Sequence, residues 1–142
     1  MIVVDANLLI YAVNSEAPSH RKAKAWLETA LSGQEMVAFS WGVLLAFLRL
    51  TTRFGLFARP LPVETALDAV AAWLEQPAAA FVHPGPQHLQ LLRELLQPLG
   101  TAGNLTSDAH LAALAIEQRA VLYSADGDFA RFSGLKWRNP LA

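Results

Sequence analysis

Short apolar blocks alternate along the chain with longer stretches in which apolar residues recur every three or four positions. Blocks of the first kind read as strands buried on both faces, and stretches of the second kind as helices with one apolar face. Ile2–Val4 is the first strand, and Ala6–Val13 follows as a short apolar helical turn ending in polar Asn14-Ser15-Glu16. Ser15 or Ser19, with Pro18 beside them, supplies start chemistry for a helix that carries Ala23, Trp26, Leu27 and Ala30 and stops after Leu31 at Ser32-Gly33. Met36–Phe39 is a second strand. Trp41–Phe54 reads as a buried helix ended by Gly55, and a further helix runs from Val63 to about Glu75, with Leu67, Val70, Ala71 and Leu74 expected inside. Ala79–Val82 is a third strand, followed by a hard turn at Pro84-Gly85-Pro86 and a helix over Gln87–Leu96. After the loop Thr101–Leu105, Thr106 or Ser107 is expected to cap a helix from Asp108 to about Arg119. Val121–Tyr123 is the fourth strand, Asp126–Phe132 a short helical turn, and Leu135–Trp137 a last edge strand.

Strands alternating with helices predict a three-layer α/β/α sandwich around a mainly parallel sheet. At 142 residues the chain is expected to form one domain, 1–142, large enough for a real core. Its apolar share, 54%, exceeds the roughly 45–50% of ordinary soluble chains, so a deeply buried sheet, a subunit interface, or both are expected. Net charge is -1, so no global polycation advertises nucleic-acid binding, and any such contact must be local. The absence of Cys excludes disulfides, thiolate nucleophiles and Cys-based zinc sites. No secretory signal is expected: the first basic residue is Arg21, and Asp5 interrupts the apolar start. The most apolar uncharged run, Met36–Leu48, falls short of the roughly 18 residues that span a bilayer, which leaves a cytoplasmic protein as the simplest expectation.

Carboxylates fall at comparable places. Asp5 ends the first strand, Asp108 lies in the first turn of the helix entering the fourth, and Asp126 and Asp128 follow the fourth. In open α/β sheets ligands bind beyond the carboxyl ends of strands, at the switch point; if strands one and four are neighbours, these acids converge there. Singly, Asp108 at a helix start and Asp126 before a turn have ordinary capping explanations. Together they do not, because two carboxylates about 4 Å apart repel by about 4 kcal/mol at an effective dielectric near 20. Mg²⁺ or Mn²⁺ with oxygen ligands is the natural counter-charge, and a site of that kind suits phosphodiester hydrolysis.

Met1-Ile2-Val3-Val4-Asp5-Ala6-Asn7, the block Thr106-Ser107-Asp108-Ala109-His110-Leu111-Ala112-Ala113-Leu114-Ala115 and Ser124-Ala125-Asp126-Gly127-Asp128-Phe129 together resemble the PIN domain, and more narrowly the VapC-type toxins of bacterial toxin–antitoxin pairs. The likeness runs nearly the full length, including the tail Trp137-Arg138-Asn139-Pro140-Leu141. It implies a Mg²⁺- or Mn²⁺-dependent endoribonuclease acting on structured tRNA or rRNA. It also implies a homodimer and a cognate VapB-type antitoxin whose C-terminal segment fills the acidic cleft. Asp5, Asp108 and Asp126 match the family's metal-site acids, with Asp128 as support. Asn7 and Ser124 match polar positions that orient the acids or a metal-held water.

One position departs from the pattern. Where the family usually carries a Glu on the helix after strand two, Ala46-Phe47-Leu48-Arg49 has Ala46. Asp128 could substitute for that carboxylate, or the domain could be a non-catalytic PIN-like module that binds RNA or protein. A phosphoryl-transfer domain of the response-regulator or phosphatase type ranks below both. Asp5-Ala6-Asn7 lacks the phosphatase's second Asp, and no Lys stands at a late strand end.

Other residues are open to two readings. Arg49 and Arg53 suit a phosphate or a solvated helix face, and Asn104 and Thr106 suit the cleft or a loop. His110 is expected to pack or face solvent, since positions two apart on a helix diverge from Asp108. His20, His83 and His88 show no ligating spacing. Trp26, Trp41 and Trp73 are expected in the core or a dimer contact. Lys136-Trp137-Arg138 suits either base stacking or a charged edge strand.

Overall fold

The computed structural model describes residues 1–142. Five strands form one all-parallel sheet: β1 (Ile2–Val4), β2 (Val37–Phe39), β3 (Ala79–Phe81), β4 (Val121–Tyr123) and β5 (Trp137–Arg138), in the spatial order β3-β2-β1-β4-β5. Six helices connect them: α1 (Ala6–Val13), α2 (His20–Leu31), α3 (Trp41–Thr52), α4 (Val63–Leu74), α5 (His88–Leu96) and α6 (Thr106–Glu117). This is the expected α/β/α sandwich. No helix is long and apolar enough to cross a membrane.

The apolar runs explain the layering. Every residue of β1 and β2 is buried, as strands covered on both faces require. β1 sits centrally, with Val3 opposite both Ala38 and Leu122. Successive strands step outward from β1 to β2 to β3, and the chain then crosses back through α5 and α6 to β4 on the other side of β1. Right-handed crossovers running in opposite directions place their helices on opposite faces and leave the switch point between β1 and β4. The neighbourhood on which convergence of the acids depended is therefore present.

Several local expectations shift. α6 begins two residues early, with Leu105 at the cap position and no side-chain cap. The Thr106 hydroxyl instead donates back to the carbonyl of Gly103 at 2.8 Å, so neither Thr106 nor Ser107 caps this helix. Ser19 stands before α2 without a capping bond. α4 buries Ala66 and Val70, whereas Leu67 is 41% exposed and Ala71 also faces out. The inward stripe thus runs one residue earlier than expected: small Ala66 lets α4 close on α3, and Trp73 completes the contact against Phe39 and Phe47. α3 ends at Thr52, so extended Arg53 is not on the same helix as Arg49. β5 starts at Trp137, not Leu135. Trp26 stacks on Tyr123, but Trp41 remains largely exposed against Phe81 at the sheet edge.

Candidate active site

Asp5 leaves β1 as the cap residue of α1, its Oδ1 accepting from the Ala6 N–H at 2.7 Å. Its Oδ2 accepts from the Ser124 hydroxyl at 2.7 Å and from Asn7 Nδ2 at 3.4 Å. Ser124, fully buried just past β4, is the hub: its Oγ also accepts from Asn7 Nδ2 at 3.1 Å and from the Asp126 N–H at 3.0 Å. Asn7 Oδ1 accepts from the Ala125 N–H, tying the segment after β1 to the segment after β4. Trp137 Nε1 donates to the Ser124 carbonyl and holds the same segment from the edge strand. The polar residues beside the first strand end thus form one lattice with those beside the fourth.

Asp126 caps a 3-10 turn, Gly127–Arg131, by accepting from the Asp128 N–H at 2.9 Å. That turn folds Asp128 back, so one carboxylate oxygen from each of Asp108, Asp126 and Asp128 lies within 4.8 Å of the others. Asp5 is outside this tight trio yet close enough to raise the proton affinity of Asp108. Burial, then Asp126, Asp5 and Asp128, push the Asp108 carboxyl up to about 6. Burial also pushes Asp5 upward against the opposing effect of its Ser124 and Ala6 hydrogen bonds, with Asp126 adding to the rise. The negative charge is thus under-compensated by protein cations. The nearest ion pair, Asp128 to Arg131, is exposed and 3.8 Å long. An all-oxygen donor set with excess negative charge fits a hard divalent cation held by Asp108, Asp126 and Asp128, with Asp5 beside them.

A cleft of about 580 Å³ opens along the same strand ends. Asp5 and Asp108 line it, as do Thr106 and Arg49, which is exposed. Ala46 lines it too, so a carboxylate at that position would share the cleft with Asp5 and Asp108. Leu92 and Leu96 of α5 give the far wall an apolar character. His110, expected to pack or face solvent, also lines this cleft, and its Nδ1 lies 2.8 Å from Nε2 of His88. Burial and the neighbouring His88 hold His110 below its ordinary value. This pair has no motif spacing; only the packing of α5 on α6 creates it. Asn104 lies in a 3-10 turn, Gly103–Leu105, within the expected loop before α6, exposed and outside the cleft lining.

Comparison with known proteins agrees with this architecture. The chain is 51% identical over 142 residues to Ribonuclease VapC37 of Mycobacterium tuberculosis, covering 100% of this chain and 99% of that protein. It is 44% identical over 141 residues to Ribonuclease VapC33 of the same species, covering 99% of each. In fold it is similar to a structure of VapBC2 from Rickettsia felis bound to a promoter DNA fragment, with TM-score 0.72, 21% identity and 98% of each chain covered. It is also similar to Mycobacterium tuberculosis VapC20, described as a sarcin-ricin loop cleaving toxin, with TM-score 0.65, 21% identity, and 96% of this chain and 99% of that chain covered. The PIN domain model matches residues 2–135, and the chain belongs to the PIN domain family.

Proposed function

We propose that this chain is a Mg²⁺- or Mn²⁺-dependent endoribonuclease toxin of the VapC kind, built as a single domain over residues 1–142 and acting in the cytoplasm. The observation that carries this reading is the grouping of Asp108, Asp126 and Asp128 within 4.8 Å, beside Asp5, at the switch point of a parallel sheet. Full-length relatives named as ribonucleases, at 51% and 44% identity, support the reaction class. When bound, the divalent ion supplies a nucleophilic water at neutral pH and positive charge beside the phosphoryl oxygens. The chain's own residues do the rest. Asp108, Asp126 and Asp128 would hold the ion with Asp5 beside them; Ser124 and Asn7 hold Asp5 in one orientation; Arg49 and Thr106 face the RNA along the cleft.

The target class implied by the family is structured tRNA or rRNA. VapBC structures among the neighbours support a VapB-type antitoxin as partner. An Arg from that antitoxin's C-terminal segment would meet the acids with charge-assisted hydrogen bonds. A homodimer is supported by exposed apolar residues along α3 and β3: Trp41 and Phe81, 48% and 44% exposed, and Leu45, 57% exposed one turn on.

The test is cleavage of structured RNA with Mn²⁺ or Mg²⁺, wild type beside Asp5→Asn. We expect wild-type cleavage and a loss of at least about a hundredfold in the variant, the scale on which transition-state charge stabilisation acts. Equal rates, or none from either protein across metals and RNAs, would defeat the reading. Ala46 favours one alternative, a PIN domain that binds RNA or protein without cutting. Ala46→Glu separates the two. A rate within about threefold of wild type means that Asp128 already completes the carboxylate set, whereas activity appearing only with Glu means that the natural chain is a binding module.

A further inference from the structure

His88 opens α5 and His110 sits in the second turn of α6, and the two rings meet edge to face at 77° with centroids 4.8 Å apart. Nε2 of His88 and Nδ1 of His110 are 2.8 Å apart, so one proton lies between them. The other ring nitrogen of His88, Nδ1, is buried and has no partner. A proton there would be an N–H buried without an acceptor, the rarer and costlier kind of orphan; a bare lone pair is milder. The His88 proton therefore belongs on Nε2, which donates to Nδ1 of His110. A neutral imidazole that accepts at one nitrogen carries its proton on the other. That leaves His110 with Nε2–H, an atom with no protein partner that is not among the buried orphans, on a residue lining the cleft.

We propose that His110 Nε2–H donates a hydrogen bond to a non-bridging oxygen of the RNA phosphate flanking the one at the acids, and that His88 is a positioning residue that fixes the required tautomer. The inference rests on the ribonuclease reading and assigns a substrate contact on the α5 side of its cleft. Geometry separates the two ends. Asp108 and His110 stand two residues apart on α6, which turns their side chains to different parts of the cleft wall. Leu92, Leu96 and His110 line the same cleft as Asp5 and Asp108, so on this proposal an RNA strand with one phosphate at the acids would run past the apolar side, where His110 offers its N–H. In this part of the site no Lys or Arg side chain lines the cleft except Arg49, which comes from α3.

Two readouts test this without turnover. Long-range ¹H–¹⁵N spectra of the full chain labelled at histidine should show His110 protonated at Nε2 and His88 at Nε2; protonation of His110 at Nδ1 overturns the proposal. In the cleavage-silent Asp5→Asn background, anisotropy of a labelled mixed-sequence single-stranded RNA with Mg²⁺ present should show affinity falling about tenfold with His110→Ala, the scale of one hydrogen bond to a charged group. His110→Gln, which keeps an N–H at similar reach, should recover most of it. His88→Leu should weaken binding and His88→Gln, still a donor to Nδ1, should not. RNA affinity unchanged in His110→Ala overturns the proposal even with the expected tautomer. Should wild type fail to cleave any RNA, the nuclease reading falls while the spectra and the affinities still decide the imidazole contact.

Discussion

Asp5 and Asp108 face one cleft, and in both the proton is held more tightly than in an ordinary carboxyl, yet the chain treats them in opposite ways. Asp5 is locked: both oxygens accept hydrogen bonds from the backbone, Ser124 and Asn7. Asp108 rides the first turn of α6 with no side-chain hydrogen bond, repelled by Asp126, Asp5 and Asp128. One carboxylate is part of the framework and the other has no hydrogen-bond partner within the chain. On the proposed reading, this difference would pre-organise a cation site: fixed acids would set the geometry, and an unsatisfied acid would provide the drive to bind.

The largest effect follows from that unsatisfied charge. With Mn²⁺ at about a hundred times its dissociation constant, linkage predicts about 2.7 kcal/mol of added stability. The increment depends on pH because ions and protons compete for the same oxygens. Asp108 holds its proton until about 6, against 3.8 for an ordinary Asp. At about pH 7.5 the ion meets a charged carboxylate, and at about pH 5 mostly a protonated one, so the increment should shrink by about half. Thermal melts with and without Mn²⁺ at the two pH values measure it. Equal increments, or none at either pH, would mean that the acids do not act as a metal site.

Breaking the framework should cost slightly less. Ser124→Ala removes the hydroxyl that donates to Asp5 and accepts from Asn7 and Asp126 in a fully buried setting. Leaving those groups short of partners costs about 1–3 kcal/mol in denaturant unfolding. Asp5→Asn should lose a similar amount, because its amide nitrogen would confront donors on one side. Full stability in both variants would show that the lattice between the ends of β1 and β4 is not what orders them.

The framework half of this contrast was the legible half. Continuous apolar runs explain the burial of β1 and β2, and Asp5 directly after β1 and Asp126 three residues after β4 mark the strand ends that matter. Ser124 and Asn7 could be singled out because they sit beside those ends in sequence. Other features depend on tertiary packing that no local pattern encodes. The Asp128 side of the trio comes from the local turn expected after Asp126, but Asp108 joins it only through the placement of α6. His88 and His110, 22 residues apart, meet only where α5 packs on α6. The inward face of α4 departs from the hydrophobic expectation of Leu67 because close helix packing selects small Ala66. Ala46 was visible as a departure, but its place in the cleft lining was not.

The smallest effect is the most diagnostic, because its sign is opposite to that of Asp5→Asn. Asp108→Asn removes the charge that the cluster repels and breaks no side-chain hydrogen bond. A carboxyl whose folded pKa is raised favours folding in full below its unfolded value near 3.8, and that contribution is lost as pH rises through about 6. Wild type should therefore lose stability relative to Asp108→Asn between about pH 4 and pH 7, with the metal-free variant ahead by less than about 1 kcal/mol above pH 7 once solvent screening is allowed for. Below about pH 4, where Asp108 is protonated in both states, the gap should close. Urea midpoints in chelator across that range measure it. A variant less stable than wild type at neutral pH would mean that Asp108 is held by contacts like those of Asp5, and the division between a satisfied and an unsatisfied acid would fall.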